Sequence, residues 1–99
     1  MATGKELVRL VTCGYWDELI RSRKDFKAYA IYDKDGKRIN HQQANEKTFC
    51  SIRIMFKDCP KKEFKLLCVI MKMIADTSSE SMYLDVSKTL KGYQEVVIS

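Results

Sequence analysis

Histidine, proline and glycine are scarce in this chain of 99 residues, which has one histidine, one proline and four glycines. The single histidine closes the common routes to catalysis. A Ser–His–Asp or Cys–His arrangement would have to use His41, which sits in the most polar stretch of the sequence, His41-Gln42-Gln43-Ala44-Asn45-Glu46. Gly4, Gly14, Gly36 and Gly92 form no phosphate-cradling pattern of the P-loop or dinucleotide kind. Asp17 and Glu18 are adjacent, and neighbours on a helix project about 100° apart, which is poor geometry for a shared-proton dyad or a metal clamp. The sequence reads as non-enzymatic and without a cofactor.

Close cysteine pairs are also missing. Cys13, Cys50, Cys59 and Cys68 include no Cys-x-x-Cys, so a metal site is not expected and the thiols are read as reduced, small core hydrophobes. Cys59, beside a helix start and lysines, is the one thiol whose pKa could be depressed, with Asp58 opposing the effect. No apolar run approaches the roughly 20 residues of a transmembrane segment. The start, Met1-Ala2-Thr3-Gly4-Lys5-Glu6, has no apolar signal region and no glycine at position 2, so an intracellular, cytoplasmic location is expected.

What the chain does have is positive charge, concentrated in its middle. From Ile20 to Lys72, fourteen basic residues stand against six acids, while the two ends are slightly acidic and the whole chain carries +5. Such a profile favours a polyanionic partner: RNA, DNA or an acidic membrane surface.

Periodicity predicts one α+β domain over residues 1–99. Lys5 to about Ser22 reads as helix, with one apolar stripe of Leu7, Leu10 and Val11 and another of Trp16, Leu19 and Ile20. The stripes are turned by half a revolution, so a break is expected at Gly14. Trp16 reads as a core anchor. Phe26 to Tyr32 reads as a strand, Asp33-Lys34-Asp35-Gly36 as the turn of a hairpin into Lys37-Arg38-Ile39, and residues 41–46 as a loop. The Asp-x-Asp-Gly of that turn fails as a calcium loop, because Ile31 and Gln42 fall on the first and last ligand positions.

Thr48 to Lys57 alternates, with Cys50, Ile52, Ile54 and Phe56 on the core side and Ser51, Arg53 and Lys57 opposite, beside Phe49 and Met55. Pro60 to Asp76 reads as a second helix, apolar over most of its circumference and therefore in need of partners on more than one side. A loop over Thr77–Ser81 and two strands, around Met82–Val86 and Tyr93–Ile98, complete the chain. The expected fold is a two-layer sandwich of order α-β-β-β-α-β-β, both helices covering one face of an antiparallel sheet.

Lys61, Lys62 and Lys65 open the second helix, where the exposed N–H groups and partial positive charge disfavour lysine. Convergence on a bound anion would account for them. The order helix–strand–strand–strand–helix over about residues 5–76, with Lys61-Lys62-Glu63-Phe64-Lys65 in the Lys-Lys-x-x-Lys spacing, resembles the double-stranded-RNA-binding domain family. The resemblance implies an α-β-β-β-α fold whose lysine cluster holds phosphates across the RNA groove.

The functional expectation is an RNA- or polyanion-binding module that contacts the backbone through Lys57, Lys61, Lys62 and Lys65, with Arg38 and Arg53. The alternative is a protein-interaction module or homodimer, using the apolar second helix or the C-terminal strands, with Tyr15, Trp16 and Tyr83 as anchors.

Overall fold

A computed structural model of the chain describes residues 2–45, 47–75, 84–87 and 92–98. Among these, β1 (Ala2–Thr3) leads into α1 (Gly4–Thr12) and α2 (Gly14–Trp16), which runs on as a π-helical turn (Asp17–Arg21). Then come β2 (Phe26–Asp33), β3 (Arg38–Ile39), β4 (Phe49–Lys57), α3 (Lys61–Ala75), β5 (Leu84–Ser87) and β6 (Tyr93–Ile98).

α1 starts on a reciprocal cap. The Thr3 hydroxyl accepts from the Glu6 N–H at 3.4 Å and donates to the Glu6 carboxylate at 3.3 Å. The expected break falls one residue early, at Cys13, whose backbone is extended (φ −79, ψ 158). It brings both apolar stripes inward: Leu7, Leu10 and Val11 are buried, and so are Trp16 and Ile20, whereas Leu19 stays exposed. Trp16 meets Phe26 and Tyr29 edge-on, with ring centroids at 5.6 and 5.4 Å. It is therefore a core residue and not an interface anchor.

The hairpin turn forms as its residues dictate. Asp33 Oδ1 accepts from the N–H groups of Asp35 and Lys37, both at 2.9 Å, and Gly36 takes the left-handed φ of 82°. The antiparallel sheet runs β3-β2-β4-β6-β5, with β1 paired to β4 at Cys50 and Phe49. β4 thus returns to the side of β2 away from β3 and becomes central. It pairs with β2 along residues 50–56 and with β6 along 52–57.

The strand register is the one its alternation predicts. Cys50, Ile52, Ile54 and Phe56 are buried with Ile31, Val96 and Ile98, under helical Phe64, Leu67 and Met71; Ile74 is only half-buried. The helices therefore lie on one face of the sheet, giving the two-layer α+β sandwich. Ser51 and Met55 are half-buried on the other face, and Arg53 is exposed there.

α3 departs from expectation in its cover. Phe64, Leu67, Cys68 and Met71 face the core, but Leu66, Val69 and Met73 are 60, 54 and 68 % exposed, because the first helical region meets α3 on one flank only. The expected loop over Thr77–Ser81, the start of the next strand at Met82 and the anchor Tyr83 lie outside the described residues.

The loop before β4 clamps the start of α1. The Gly4 N–H donates to the Thr48 carbonyl at 2.7 Å, and Ala44 is buried against the helix. A Cβ on Gly4 would stand 2.5 Å from the Asn45 nitrogen and 2.6 Å from Ala44 backbone atoms, too close for rigid backbone to accept. We expect Gly4→Ala to cost about 1–3 kcal/mol in chemical denaturation, although alanine is the better helix former. A neutral or stabilising result would show that the loop yields.

Candidate nucleic-acid interface

On the face away from the helices, the side chains of three strands meet. Because β4 alternates, Ser51, Arg53, Met55 and Lys57 emerge there, and the pairing sets their neighbours. Arg53 lies between Ala30 and Val97, Met55 between Ala28 and Glu95, and Lys57 beside Tyr93. Arg38 is opposite Tyr32 on β2. The Arg53 guanidinium stands 5.2 Å from the Tyr32 ring centroid, and the Lys57 ammonium stands 5.2 Å from that of Tyr93. Contacts of this kind are worth about 0.5–1 kcal/mol at exposed sites. They hold two long cations along the face instead of leaving them free in solvent.

One acid lies among these cations. Glu95 is only 6 % exposed, and its one ion pair among the described residues is with Arg53 Nη1 at 3.8 Å. Beside it, the small side chains of Ala28 and Ala30 leave a concavity of about 350 Å³, edged by Tyr32, Arg38 and Arg53.

The lysines that open α3 lie on the other layer. Lys61, Lys62 and Lys65 are all exposed, and among the described residues neither Lys61 nor Lys62 pairs with Asp58 or Glu95. Of the six residues singled out in the sequence, Arg38, Arg53 and Lys57 share the sheet face, while Lys61, Lys62 and Lys65 belong to the helix. The two groups meet at one rim. Four Cα steps separate Lys57 from Lys61, so their Cα atoms are at most about 14 Å apart.

A polar latch fixes that rim. Asp58 takes a left-handed φ of 55°, and its N–H donates to the Gly92 carbonyl at 2.7 Å. The Gln94 amide bonds both backbone groups of Cys59, accepting from its N–H at 2.8 Å and donating to its carbonyl at 3.0 Å. Arg23 grips Asp25 through two 2.9 Å hydrogen bonds and reaches Glu63 in the first turn of α3 at 3.6 Å. The Arg23 guanidinium holds the Asp25 carboxyl below the usual carboxylate range. Burial, reinforced by Asp25, pushes the Cys59 thiol up to about 11. This corrects the expectation of a depressed thiol at the helix start: the sulfur is inside, under the latch, and does not face the lysines. Burial also raises Cys68 to about 11.

His41 has an ordinary partner, with its Nε2 3.0 Å from the Tyr29 hydroxyl and the two rings stacked. The sequence missed Tyr32, Tyr93 and Glu95 as members of the face. Their outward phase in β2 and β6 was readable, but the register that sets them beside Arg53 and Lys57 was not. Compared with protein-family models, curated proteins and solved structures, the chain matches none.

Asp25→Asn should destabilise the fold by about 1.5–3 kcal/mol, as expected for losing hydrogen bonds between charged groups. Asp25 stabilises the fold above the ordinary carboxylate pKa, and that contribution is lost as pH falls through its lowered value. The raised thiols act in the opposite direction: stability is intact below about 9 and is lost as pH climbs through about 11. Denaturation midpoints across pH check both limbs. A thiol reagent at pH 8 should modify the half-buried Cys13 before Cys50, Cys59 and Cys68, which are buried; fast labelling of Cys59 in the native protein would contradict the latch.

Proposed function

We propose that this domain is a non-enzymatic RNA-binding module that holds phosphate backbone along the uncovered sheet face and around its rim to the start of α3. The carrying observation is the pair of cation–aromatic contacts, Arg53 with Tyr32 and Lys57 with Tyr93, on a sheet face that the helices leave open. A positively charged track with interspersed aromatic rings is the common chemistry of surfaces that bind nucleic acid. Arg53 and Lys57 are four residues apart on β4, about 13 Å along the strand. Lys61 and Lys62 continue the positive charge round the rim, and Arg38 extends it across β2. The basic helix start supports the same reading, since lysines there are unfavourable for the helix alone.

A second reading rests on α3. Leu66, Val69 and Met73 form an exposed apolar stripe, next to a hollow lined by Tyr15, Leu19 and Ile70. Such a stripe suits a protein partner or a second copy of the chain.

Salt separates the two readings. Among the described residues no helix is long and apolar enough to cross a membrane. Fluorescence anisotropy with single-stranded RNA, duplex RNA and DNA, at two salt concentrations, should show affinity falling steeply as salt rises. Replacing Lys61 and Lys62 with Gln should leave stability within a few tenths of a kcal/mol. It should weaken RNA binding several-fold and flatten the salt slope by about 1.5–2. The pair Arg53→Gln and Lys57→Gln should do at least as much to binding. If all variants bind like the parent, or none binds at low salt, the apolar stripe of α3 becomes the leading site.

A further inference from the structure

We infer that the concavity over Ala28 and Ala30 is a pocket for one unpaired nucleobase, with guanine the best fit, so that the face reads single strands and not duplex shape. The inference rests on the RNA reading above and adds the ligand's chemistry.

Glu95 is the starting point. Its side chain is only 8 % exposed, and among the described residues it forms an ion pair with Arg53 Nη1 at 3.8 Å. In a place from which solvent is largely excluded, a carboxylate that lines a concavity favours a ligand that brings N–H donors. Glu95 lines the concavity of about 350 Å³ together with Arg38, Arg53 and Tyr32.

The charges around the pocket limit what can enter. A bare anion would meet Glu95, and a bare cation would meet two arginines. A nucleotide suits both, because its base is neutral and carries N–H donors while its phosphate can lie against Arg38 or Arg53. Unpaired bases are held by stacking on aromatic rings or guanidinium planes and are read along their Watson–Crick edges. The Arg53 guanidinium already lies over the Tyr32 ring beside the concavity, and the two alanines leave room next to them.

Among the bases, guanine presents two adjacent donors, N1–H and the N2 amino group, to the two oxygens of a carboxylate. Adenine and cytosine each offer an amino group beside a ring acceptor. Uracil offers one N–H between two carbonyls, which a carboxylate repels. In a base-paired guanine both donors are already engaged, so a duplex cannot use the pocket.

The test uses the whole chain and short fluorescent oligonucleotides of one sequence, with a single central position occupied by guanine, inosine, adenine or an abasic residue. RNA and DNA versions show whether the sugar is read as well. Guanine should bind about tenfold tighter than the abasic strand, and inosine, which lacks the N2 amino group, should lose several-fold. Glu95→Gln should remove the difference between guanine and inosine. Ala28→Leu, which fills the concavity from an exposed position, should remove the preference for guanine over the abasic strand without touching a charge. Should either variant fail to fold, the oligonucleotide series on the parent protein decides alone. Equal, salt-sensitive binding of all four strands would overturn the pocket and leave the backbone-binding reading standing. No binding of any strand at low salt would remove both.

Discussion

The two-residue period of β4 is the constraint on which the rest of the molecule depends. This strand pairs with three others, so a slip of one residue in its register would reverse the placement of every side chain from Cys50 to Lys57. Ile52, Ile54 and Phe56 would go to water, and Arg53 would enter a core packed under Trp16, Phe64 and Met71. Burial of those apolar side chains, at about 1.5–3 kcal/mol each, strongly favours the observed phase. The arrangement of cations on the open face follows from the same choice.

With both helical regions committed to one side, the sheet has two faces of different chemistry. The covered face is aliphatic and aromatic. The open face carries cations set against tyrosines and one sunken acid, and it is bounded at one end by the latch of Asp25, Arg23, Cys59 and Gln94. That latch joins elements far apart in sequence, β2, α3 and β6, at the point where the chain passes from the sheet layer to the helical layer. Fixing this corner sets how the lysines of α3 stand relative to Lys57. The basic residues of β4 and of α3 are thus joined through the fixed backbone of residues 58–60.

The fold was legible where a local period carries it. The alternation of residues 49–57 and the two offset stripes around Gly14 are strong signals, and each led to the right layer. Relations between distant segments were not legible. Nothing local shows that the short β3 lies outside β2, so that β4 returns to pair with β2, or that Glu95, an outward residue by its phase, is buried. The opposite case is Cys59. Its neighbours in sequence are lysines and Asp58, but in space it is buried beside Asp25, and burial with that carboxylate raises its pKa against the pull of Arg23. Of the site residues, the three lysines of α3 stood out because they offend a helix rule. Tyr32 and Tyr93 offend none, and only the register gives them a role.

The shortness of β3 has a consequence for how molecules of this protein meet one another. β3 pairs with β2 only at Ile31 and Tyr32, so among the described residues the outer backbone of β2 from Phe26 to Ala30 is an open edge. Open edges invite strands from neighbouring copies. Here the register shifts between Phe26 and Ala28, and the exposed Lys24 and Lys27 stand at that end of the strand. Irregular backbone and like charge are both deterrents to edge-to-edge pairing. The deterrence by charge weakens as salt screens it. Raising the ionic strength to test the proposed polyanion binding is thus also the condition under which copies of the domain lose part of their mutual repulsion.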